Sequence, residues 1–220
     1  MKKLVIFGNG DIAELAHYYF ANDTHYEVVS FTVDEEYLDS ESFSGLPNVP
    51  FNQLSQLMPP ENHEIFIAIS YANMNQLRAS KLIQAKQWGY EAASYVSSRA
   101  TIFGNFKCGE NCFILEDNTV QPYASIGDNV TLWSGNHIGH HAVIGDNCFI
   151  TSHVVVSGGV EIKNNCFLGV NATIRDHLTL GSYSLVTAGS LVLKDTEDYS
   201  IYDGSPAKKR KLKSTDLKKI

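Results

Sequence analysis

The sequence predicts two parts of different fold class, a small parallel α/β domain over residues 1–95 and a β-helix over residues 96–197. Strands alternate with helices in the first part, and one aliphatic column recurs every six residues in the second. Residues 198–220, which contain a run of lysines, are predicted to form a C-terminal tail. A chain of 220 residues is long enough for both domains to bury a core.

The α/β domain is predicted from its apolar runs. Residues 4–7, 28–33 and 65–69 are short, mostly apolar segments of the kind that form buried strands. An amphipathic helix is predicted from Ile12 onward, and a second helix over residues 75–88. Strands that alternate with helices indicate a parallel sheet. Because a full dinucleotide-binding fold needs two such halves, this domain is half-Rossmann-like and suits a mononucleotide better than NAD.

A glycine-rich turn follows the first predicted strand and precedes the first predicted helix. It consists of Gly8, Asn9, Gly10 and Asp11. Glycine lets the backbone approach a phosphate at a helix N-terminus, although the same turn also occurs without a ligand. Together with Asp34, which ends the second predicted strand, the turn is interpreted as a site for a nucleotide-linked molecule.

The second part is defined by its period. From Val96 to Val192 every sixth residue is aliphatic, with the exception of Cys108. Neither the period of a strand nor that of a helix produces such a column. The residue after the aliphatic is often glycine, and the next two places are often Asn or Asp, which tolerate left-handed turns. Each hexad therefore predicts one short strand, one inward side chain and one turn.

The cysteines fit this register. Cys112, Cys148 and Cys166 each lie four places after a member of the inward column, where most hexads have a small or apolar residue. They are predicted to be core residues. A zinc site would need converging pairs of ligands, whereas Cys108 and Cys112 form a single pair. No metal is expected.

The charge and hydropathy of the chain argue against nucleic-acid and membrane partners. The net charge is −7, and an acidic surface repels a phosphate backbone. The basic cluster over residues 208–213 is interpreted as a solvated part of the tail. No apolar run approaches the ~20 residues that span a bilayer, and no signal-peptide core is visible. We therefore expect a cytoplasmic location, where cysteines stay reduced.

Both parts together resemble the two-domain hexapeptide-repeat sugar acyltransferases of the bacillosamine N-acetyltransferase and sialic acid O-acetyltransferase group. Besides the repeat, three segments carry this resemblance: Val5-Ile6-Phe7-Gly8-Asn9-Gly10, Val29-Ser30-Phe31-Thr32-Val33-Asp34 and Gly204-Ser205-Pro206-Ala207-Lys208. The resemblance implies that three hexads form one 18-residue coil of a left-handed parallel β-helix. It also implies a homotrimer, with acetyl-CoA along the β-helix and the nucleotide of a nucleotide-linked sugar in the N-terminal domain.

The resemblance places the catalytic histidine at His140, with His141 as a second candidate. In the family an acid often precedes or follows this histidine, but Gly139 and His141 stand at those places. The group that steadies the imidazole is therefore expected elsewhere, either at Asp117 or in a neighbouring subunit. Trp133 is a candidate for substrate binding, because many relatives have there an Asn that contacts the sugar.

Acyl transfer to an amine explains the need for a histidine. The attacking amine must lose a proton, and an imidazole, which titrates near pH ~6.5, can take it. Backbone N–H groups at a coil corner can stabilise the oxyanion. The resemblance implies that acetyl-CoA lies along the coil corners beyond the histidine, which makes Gly158 and Gly159, 18 residues after the two histidines, and Gly189 candidates for binding it.

The predicted function is acetyl-CoA-dependent N-acetylation of a nucleotide-linked amino sugar, an amino-dideoxy hexose for surface glycan synthesis. O-acetylation of a sialic acid or related sugar is the alternative. A metal enzyme similar to γ-type carbonic anhydrases is disfavoured, because no histidine lies two coils before the cluster over residues 137–141. A non-catalytic binding protein is disfavoured by that cluster and by the glycine-rich turn. His153 and His177 are interpreted as surface or interface residues.

Overall fold

The computed structural model describes residues 2–104, 106 and 108–217, and the chain divides into two compact units. The first, called the α/β unit, comprises Met1–Ser70 and Arg78–Tyr95. The second, called the β-helix unit, comprises Tyr71–Leu77 and Val96–Ile220. The short segment Tyr71–Leu77 thus groups with the β-helix unit, although the residues on both sides of it belong to the α/β unit.

The α/β unit is a sheet with helices in its connections. Its elements in chain order are β1 (Lys2–Phe7), α1 (Asp11–Asp23), β2 (Tyr26–Val33), β3 (Ser42–Phe43), β4 (Leu46–Pro50), α2 (Leu54–Leu57), β5 (His63–Ile67) and α3 (Gln76–Gln87). The sheet order is β3-β4-β2-β1-β5. All neighbouring pairs are parallel except β3 with β4.

The predicted strands and helices of this unit are confirmed, with small differences in their ends. Strand β1, which lies between β2 and β5, buries Leu4 to Phe7 almost completely, as expected for a strand covered on both faces. The hairpin of β3 and β4 was not predicted. Its two-residue turn has positive φ at Ser44 and Gly45, the conformation that suits the twist of a hairpin. The flanking strands are short and have no alternating apolar pattern that would reveal them.

The β-helix unit repeats a two-residue parallel strand every six residues, and the strands stack into three faces. The first face contains β6 (Tyr95–Val96), β8 (Phe113–Ile114), β11 (Thr131–Leu132), β14 (Phe149–Ile150), β17 (Phe167–Leu168) and β20 (Leu185–Val186). The second contains β7 (Thr101–Ile102), β9 (Thr119–Val120), β12 (His137–Ile138), β15 (Val155–Val156), β18 (Thr173–Ile174) and β21 (Leu191–Val192). The third contains β10 (Ser125–Ile126), β13 (Val143–Ile144), β16 (Glu161–Ile162) and β19 (Thr179–Leu180).

The predicted aliphatic column forms the core of this unit. From Ile114 to Val192 each member of the column is at most 5% exposed, and paired strands hold members 18 residues apart in register. The column is less buried at its start, where Val96 is 36% exposed and Ile102 and Cys108 are half-buried. The predicted inward positions are therefore confirmed except at this end.

Each hexad also contains one residue with positive φ, which makes the turn between faces. These residues are Asn111, Asp117, Tyr123, Asn129, Gly135, His141, Asn147, His153, Gly159, Asn165, Asn171, His177, Tyr183 and Gly189. Asn and Gly dominate because they tolerate the left-handed region at little cost. Residues 18 apart occupy the same turn of successive coils. We call such a set a corner column.

The three predicted core cysteines are buried completely. The thiols of Cys112, Cys148 and Cys166 donate to backbone carbonyl oxygens 15 residues later, at 3.1, 3.2 and 3.2 Å. None of the four cysteines forms a disulfide. In the part of the chain that the structure describes, no three His, Cys, Asp or Glu side chains converge as a metal site.

Thiol labelling should distinguish these cysteines. Burial raises the pKa of the Cys166 thiol, which therefore stays protonated and reacts slowly at neutral pH. We expect half-buried Cys108 to react first with a thiol reagent, and the three core thiols to react only on unfolding. The Cys108→Ser variant should lose the fast phase. Rapid labelling of several thiols in the native protein would contradict the inward placement.

The predicted tail contains a hairpin. Strands β22 (Ser200–Asp203) and β23 (Lys208–Lys213) pair antiparallel, and β22 extends the first face by pairing parallel to β20. Lysines on an exposed edge strand discourage pairing with another chain. All six residues of β23 are exposed, so the segment has no apolar alternation from which a strand could be predicted. Among the described residues, no helix is long and apolar enough to cross a bilayer.

Candidate active site

His140 and His141 lie at the turn between β12 and β13, and both side chains are exposed. His141 is the turn residue, with φ of +59°. The next coil places Gly158 and Gly159 beside them, since the Gly159 N–H donates to the His140 carbonyl oxygen at 2.8 Å. We call this group, with Pro122 and Tyr123 of the preceding coil, the His140 corner. The structure thus brings together the two predicted catalytic residues and two of the three glycines predicted to bind acetyl-CoA.

The imidazole of His140 lies against the backbone of Gly158. A Cβ atom added at Gly158 would be 2.6 Å from both Cε1 and Nε2 of this ring. A side chain at residue 158 would therefore displace the His140 ring, whereas the backbone conformation does not favour glycine, because the φ of Gly158 is not in the left-handed region. The sequence spacing of 18 predicted that these residues are neighbours, but it did not predict this close packing.

The backbone amides of His140 and Gly158 differ in whether a side chain accepts their hydrogen bond. The His140 N–H donates to Gln121 Oε1 at 2.9 Å. The residue in the corresponding place one coil later is Gly139, which has no side chain with which to cap Gly158. Within the described residues, the Gly158 N–H has no hydrogen-bond acceptor. The corner therefore presents an unused N–H donor next to an imidazole.

The two histidines contact each other. Their Nδ1 atoms are 3.1 Å apart, and the rings are nearly perpendicular. The Tyr123 ring packs on His141 with 4.7 Å between ring centroids. Among the described residues, no carboxylate forms a hydrogen bond or ion pair with either imidazole. Asp117, expected as an orienting acid, lies instead in the corner column of Gly135 and His153.

Two other candidates lie away from the His140 corner of this chain. Gly189 is exposed in the corner column of Gly135 and His153. Trp133 is half-buried on the first face, where it packs against Phe149 with 6.4 Å between ring centroids. Their roles in cofactor and substrate binding stay predictions. His177, which was interpreted as a surface or interface residue, is exposed and lies over Gly159, two coils beyond His141.

The two glycines in the glycine-rich turn of the α/β unit have different roles. Gly8 has φ of +130°, and an added Cβ would be 2.6 Å from the Ala68 carbonyl oxygen. Gly10 is the N-cap of α1, and an added Cβ there would meet no atom within 4 Å. Asn9 donates its side-chain amide to the Tyr37 carbonyl oxygen at 3.0 Å. Gly8 is thus needed for folding, whereas Gly10 leaves space at the helix N-terminus.

Asp34 of the predicted nucleotide site has a cationic partner that was not predicted. Lys81 Nζ is 2.6 Å from Asp34 Oδ1, and the ammonium also lies over the Phe7 and Phe51 rings at 5.5 and 5.4 Å. A shallow cleft of about 630 Å³ is lined by Asp34, Glu35, Glu36 and Lys81. Lys81 belongs to α3, 47 residues from Asp34, and no motif in the sequence identifies it.

Comparisons with known proteins agree with this fold. The family whose model matches is described as bacterial transferase hexapeptide (six repeats), and the match covers residues 123–158, which include His140 and Gly158. A search of curated proteins found none that matches the chain.

Solved structures match nearly the whole chain. PerB from Caulobacter crescentus, in complex with CoA and GDP-perosamine, is 23% identical with a TM-score of 0.83, covering 94% of this chain and 97% of that one. The acetyltransferase domain of PglB from Neisseria gonorrhoeae is 21% identical with a TM-score of 0.85, covering 96% and 100%. WeeI from Acinetobacter baumannii is 17% identical with a TM-score of 0.78, covering 94% and 99%. These similarities confirm the predicted fold class, a small α/β domain and a left-handed parallel β-helix.

Proposed function

We propose that this protein is an acetyl-CoA-dependent N-acetyltransferase that acts on a nucleotide-linked amino sugar, with His140 as the general base. The observation that carries the proposal is the His140 corner, where an exposed imidazole lies beside the unused N–H of Gly158. A proton acceptor next to an oxyanion donor is what acyl transfer from a thioester requires. PerB, of the same fold, is described in complex with CoA and a nucleotide-linked amino sugar.

The corner residues suit each step of the reaction. His140 Nε2 takes the proton from the amine as its nitrogen bonds to the thioester carbonyl carbon. The Gly158 N–H donates to the oxyanion that forms on the carbonyl oxygen, and one such donor contributes about 10²–10³ in rate. When the carbon–sulfur bond breaks, the imidazolium returns its proton to the departing sulfur. The products are an amide and CoA.

The α/β unit is proposed to hold the nucleotide. The space at Gly10 and the uncapped N-terminus of α1 suit a phosphate. Asp11 adds a carboxylate to the first turn of α1, which suits a sugar hydroxyl better than a phosphate. The cleft beside Asp34 suits a ribose or base, with Lys81 holding that carboxylate in place.

We further propose that the active unit is a cytoplasmic homotrimer in which another copy covers the His140 corner. Tyr123, Val143 and Val155, on this corner and the strands beside it, are 79%, 45% and 38% exposed. Apolar side chains grouped in this way favour an interface. Four cysteines without a disulfide suit a reducing compartment.

The Gly158→Ala variant should lose about 100-fold in kcat, because the new methyl group displaces the His140 ring and small misplacements of a catalytic group have effects of this size. Steady-state kinetics on variants at residues 140 and 158, single and combined, measure the effect. Adding Gly158→Ala to His140→Ala should change kcat little further, since the ring is already absent. Full additivity of the two losses would contradict the packing argument.

The proposed function is tested by measuring CoA release by the wild-type protein with a panel of nucleotide-linked amino sugars. The panel should vary the base and the position of the amine, and it should include the matching hydroxyl sugars and free sialic acid. We expect turnover with at least one amino sugar and none with its hydroxyl counterpart. Turnover with hydroxyl sugars alone would favour O-acetylation. No turnover with any acceptor would overturn the proposal.

A further inference from the structure

The contact between His140 and His141 constrains where their protons lie. A distance of 3.1 Å between two Nδ1 atoms is a hydrogen bond only if one nitrogen carries a proton and the other has a free lone pair. A base at His140 Nε2 needs its lone pair there, so its proton must be on Nδ1. In the competent pair, His140 Nδ1–H therefore donates to His141 Nδ1, and His141 carries its own proton on Nε2.

We infer that His141 is a positioning residue that holds His140 in this tautomer, the task that a carboxylate performs in other histidine-dependent sites. The inference rests on the proposed function of His140. No carboxylate reaches either ring within the described residues, and Asp117 lies in a different corner column. His141 in turn contacts the Tyr123 ring on the preceding coil, which is tilted by 31° relative to the imidazole.

The position of His141 on the backbone supports this role. His141 is the turn residue of its hexad, where Asn and Gly are common elsewhere in the chain. His153 and His177 occupy the same position in their hexads, so the contact with His140, and not the positive φ, distinguishes His141. At this left-handed turn the His141 ring reaches the Nδ1 atom of His140, and the His140 ring also lies against Gly158.

A histidine partner differs from a carboxylate in its charge. Neutral His141 accepts the hydrogen bond without adding a negative charge, and it loses its lone pair when it is protonated. A carboxylate would instead favour the charged imidazolium of His140. Other titratable or charged groups on the strands and turns around the pair are Tyr123, His137, Glu161, Arg175, Asp176 and His177.

Three substitutions at His141 separate positioning from a merely structural role. His141→Ala removes the acceptor and should lower kcat about 10- to 100-fold, the usual effect of losing such a partner, with little change in KM for acetyl-CoA. His141→Asn supplies a neutral oxygen acceptor and should restore most of that loss. His141→Asp should retain activity at high pH but move the acidic limb of the kcat/KM profile upward by about one pH unit.

The control is His153→Ala, which removes an exposed histidine from another corner column and should leave kcat and the pH profile at wild-type values. Wild-type kcat for His141→Ala, or an unchanged acidic limb for His141→Asp, would overturn the inference. Equal losses for Ala and Asn, without rescue, would also overturn it.

A measurement that needs no sugar substrate can test this inference separately from the proposed function. Nitrogen-15 spectra of the histidine-labelled wild-type protein report which ring nitrogen carries the proton, and single substitutions assign the signals. We expect His140 protonated at Nδ1 and His141 protonated at Nε2, with the preference at His140 lost in His141→Ala. The opposite tautomers would overturn the positioning role even if the wild-type protein is active. Absence of turnover with the expected tautomers would count against the proposed function alone.

Discussion

Replacing His140 with alanine is expected to lower kcat/KM by about 10²–10⁴, the usual contribution of a positioned general base. The amine then loses its proton to water, while the Gly158 N–H still stabilises the oxyanion. Binding of acetyl-CoA should change little, because the imidazole acts in the chemical step. Steady-state assays of CoA release over a range of pH measure the effect, and the acidic limb of the wild-type profile should disappear in the variant.

This loss should occur without loss of fold. The His140 side chain is exposed, and the aliphatic column beneath the turn stays intact. Thermal unfolding of the variant should therefore match that of the wild-type protein and of the His153→Ala control. Near-wild-type turnover in a folded His140→Ala protein would contradict the assignment of the base.

Replacing Gly8 with alanine is expected to destabilise the α/β unit by about 3 kcal/mol, the sum of a strained backbone and a forced contact. The methyl group would meet the Ala68 carbonyl oxygen, a backbone atom that cannot move alone. Ala68 directly follows β5, and its N–H donates to the Phe7 carbonyl oxygen at 2.8 Å. Urea unfolding, monitored by a spectroscopic signal from the α/β unit, measures the change in the free energy of unfolding.

Gly10→Ala is the matched comparison. Its methyl group meets no atom within 4 Å, so stability should change far less than in Gly8→Ala. The methyl group would instead occupy space at the N-terminus of α1, and KM for the nucleotide-linked sugar should rise. Equal stability of Gly8→Ala and the wild-type protein would contradict the steric argument. An unchanged KM in Gly10→Ala would contradict the proposed nucleotide position.

The β-helix was predictable because its contacts are periodic. Each coil pairs mainly with the coils 18 residues before and after it, so the pattern that fixes one hexad fixes the next. The inward placement of Ile138 and Cys148, and the neighbourhood of His140 and Gly158, follow from counting alone. The same counting shows that Asp117 belongs to another corner.

Features that depend on single long-range contacts were not predictable. Met74 is buried against the first face, and its carbonyl oxygen accepts a hydrogen bond from Asn165 Nδ2 at 3.0 Å, across 91 residues of sequence. This contact is part of the reason that Tyr71–Leu77 groups with the β-helix unit. The Lys81 ion pair with Asp34 is non-local in the same way. No periodic pattern in the sequence predicts such contacts.

The candidate site also has features that the repeat predicted and features that depend on single contacts. The register of the repeat predicted which residues share the corner. It did not predict that Gln121 caps the His140 amide while Gly139 leaves the Gly158 amide available. The contact between His140 and His141 depends on the direction of two side chains at a left-handed turn, which spacing does not determine.

The most direct test of this account is mass spectrometry of the acceptor after incubation with acetyl-CoA and the wild-type protein or the His140→Ala variant. We expect the wild-type protein to add one acetyl group to a nucleotide-linked amino sugar, through a bond that resists hydroxylamine as an amide does. The His140→Ala variant should add it far more slowly. A hydroxylamine-labile ester, or equal rates for the two proteins, would contradict histidine-dependent N-acetylation.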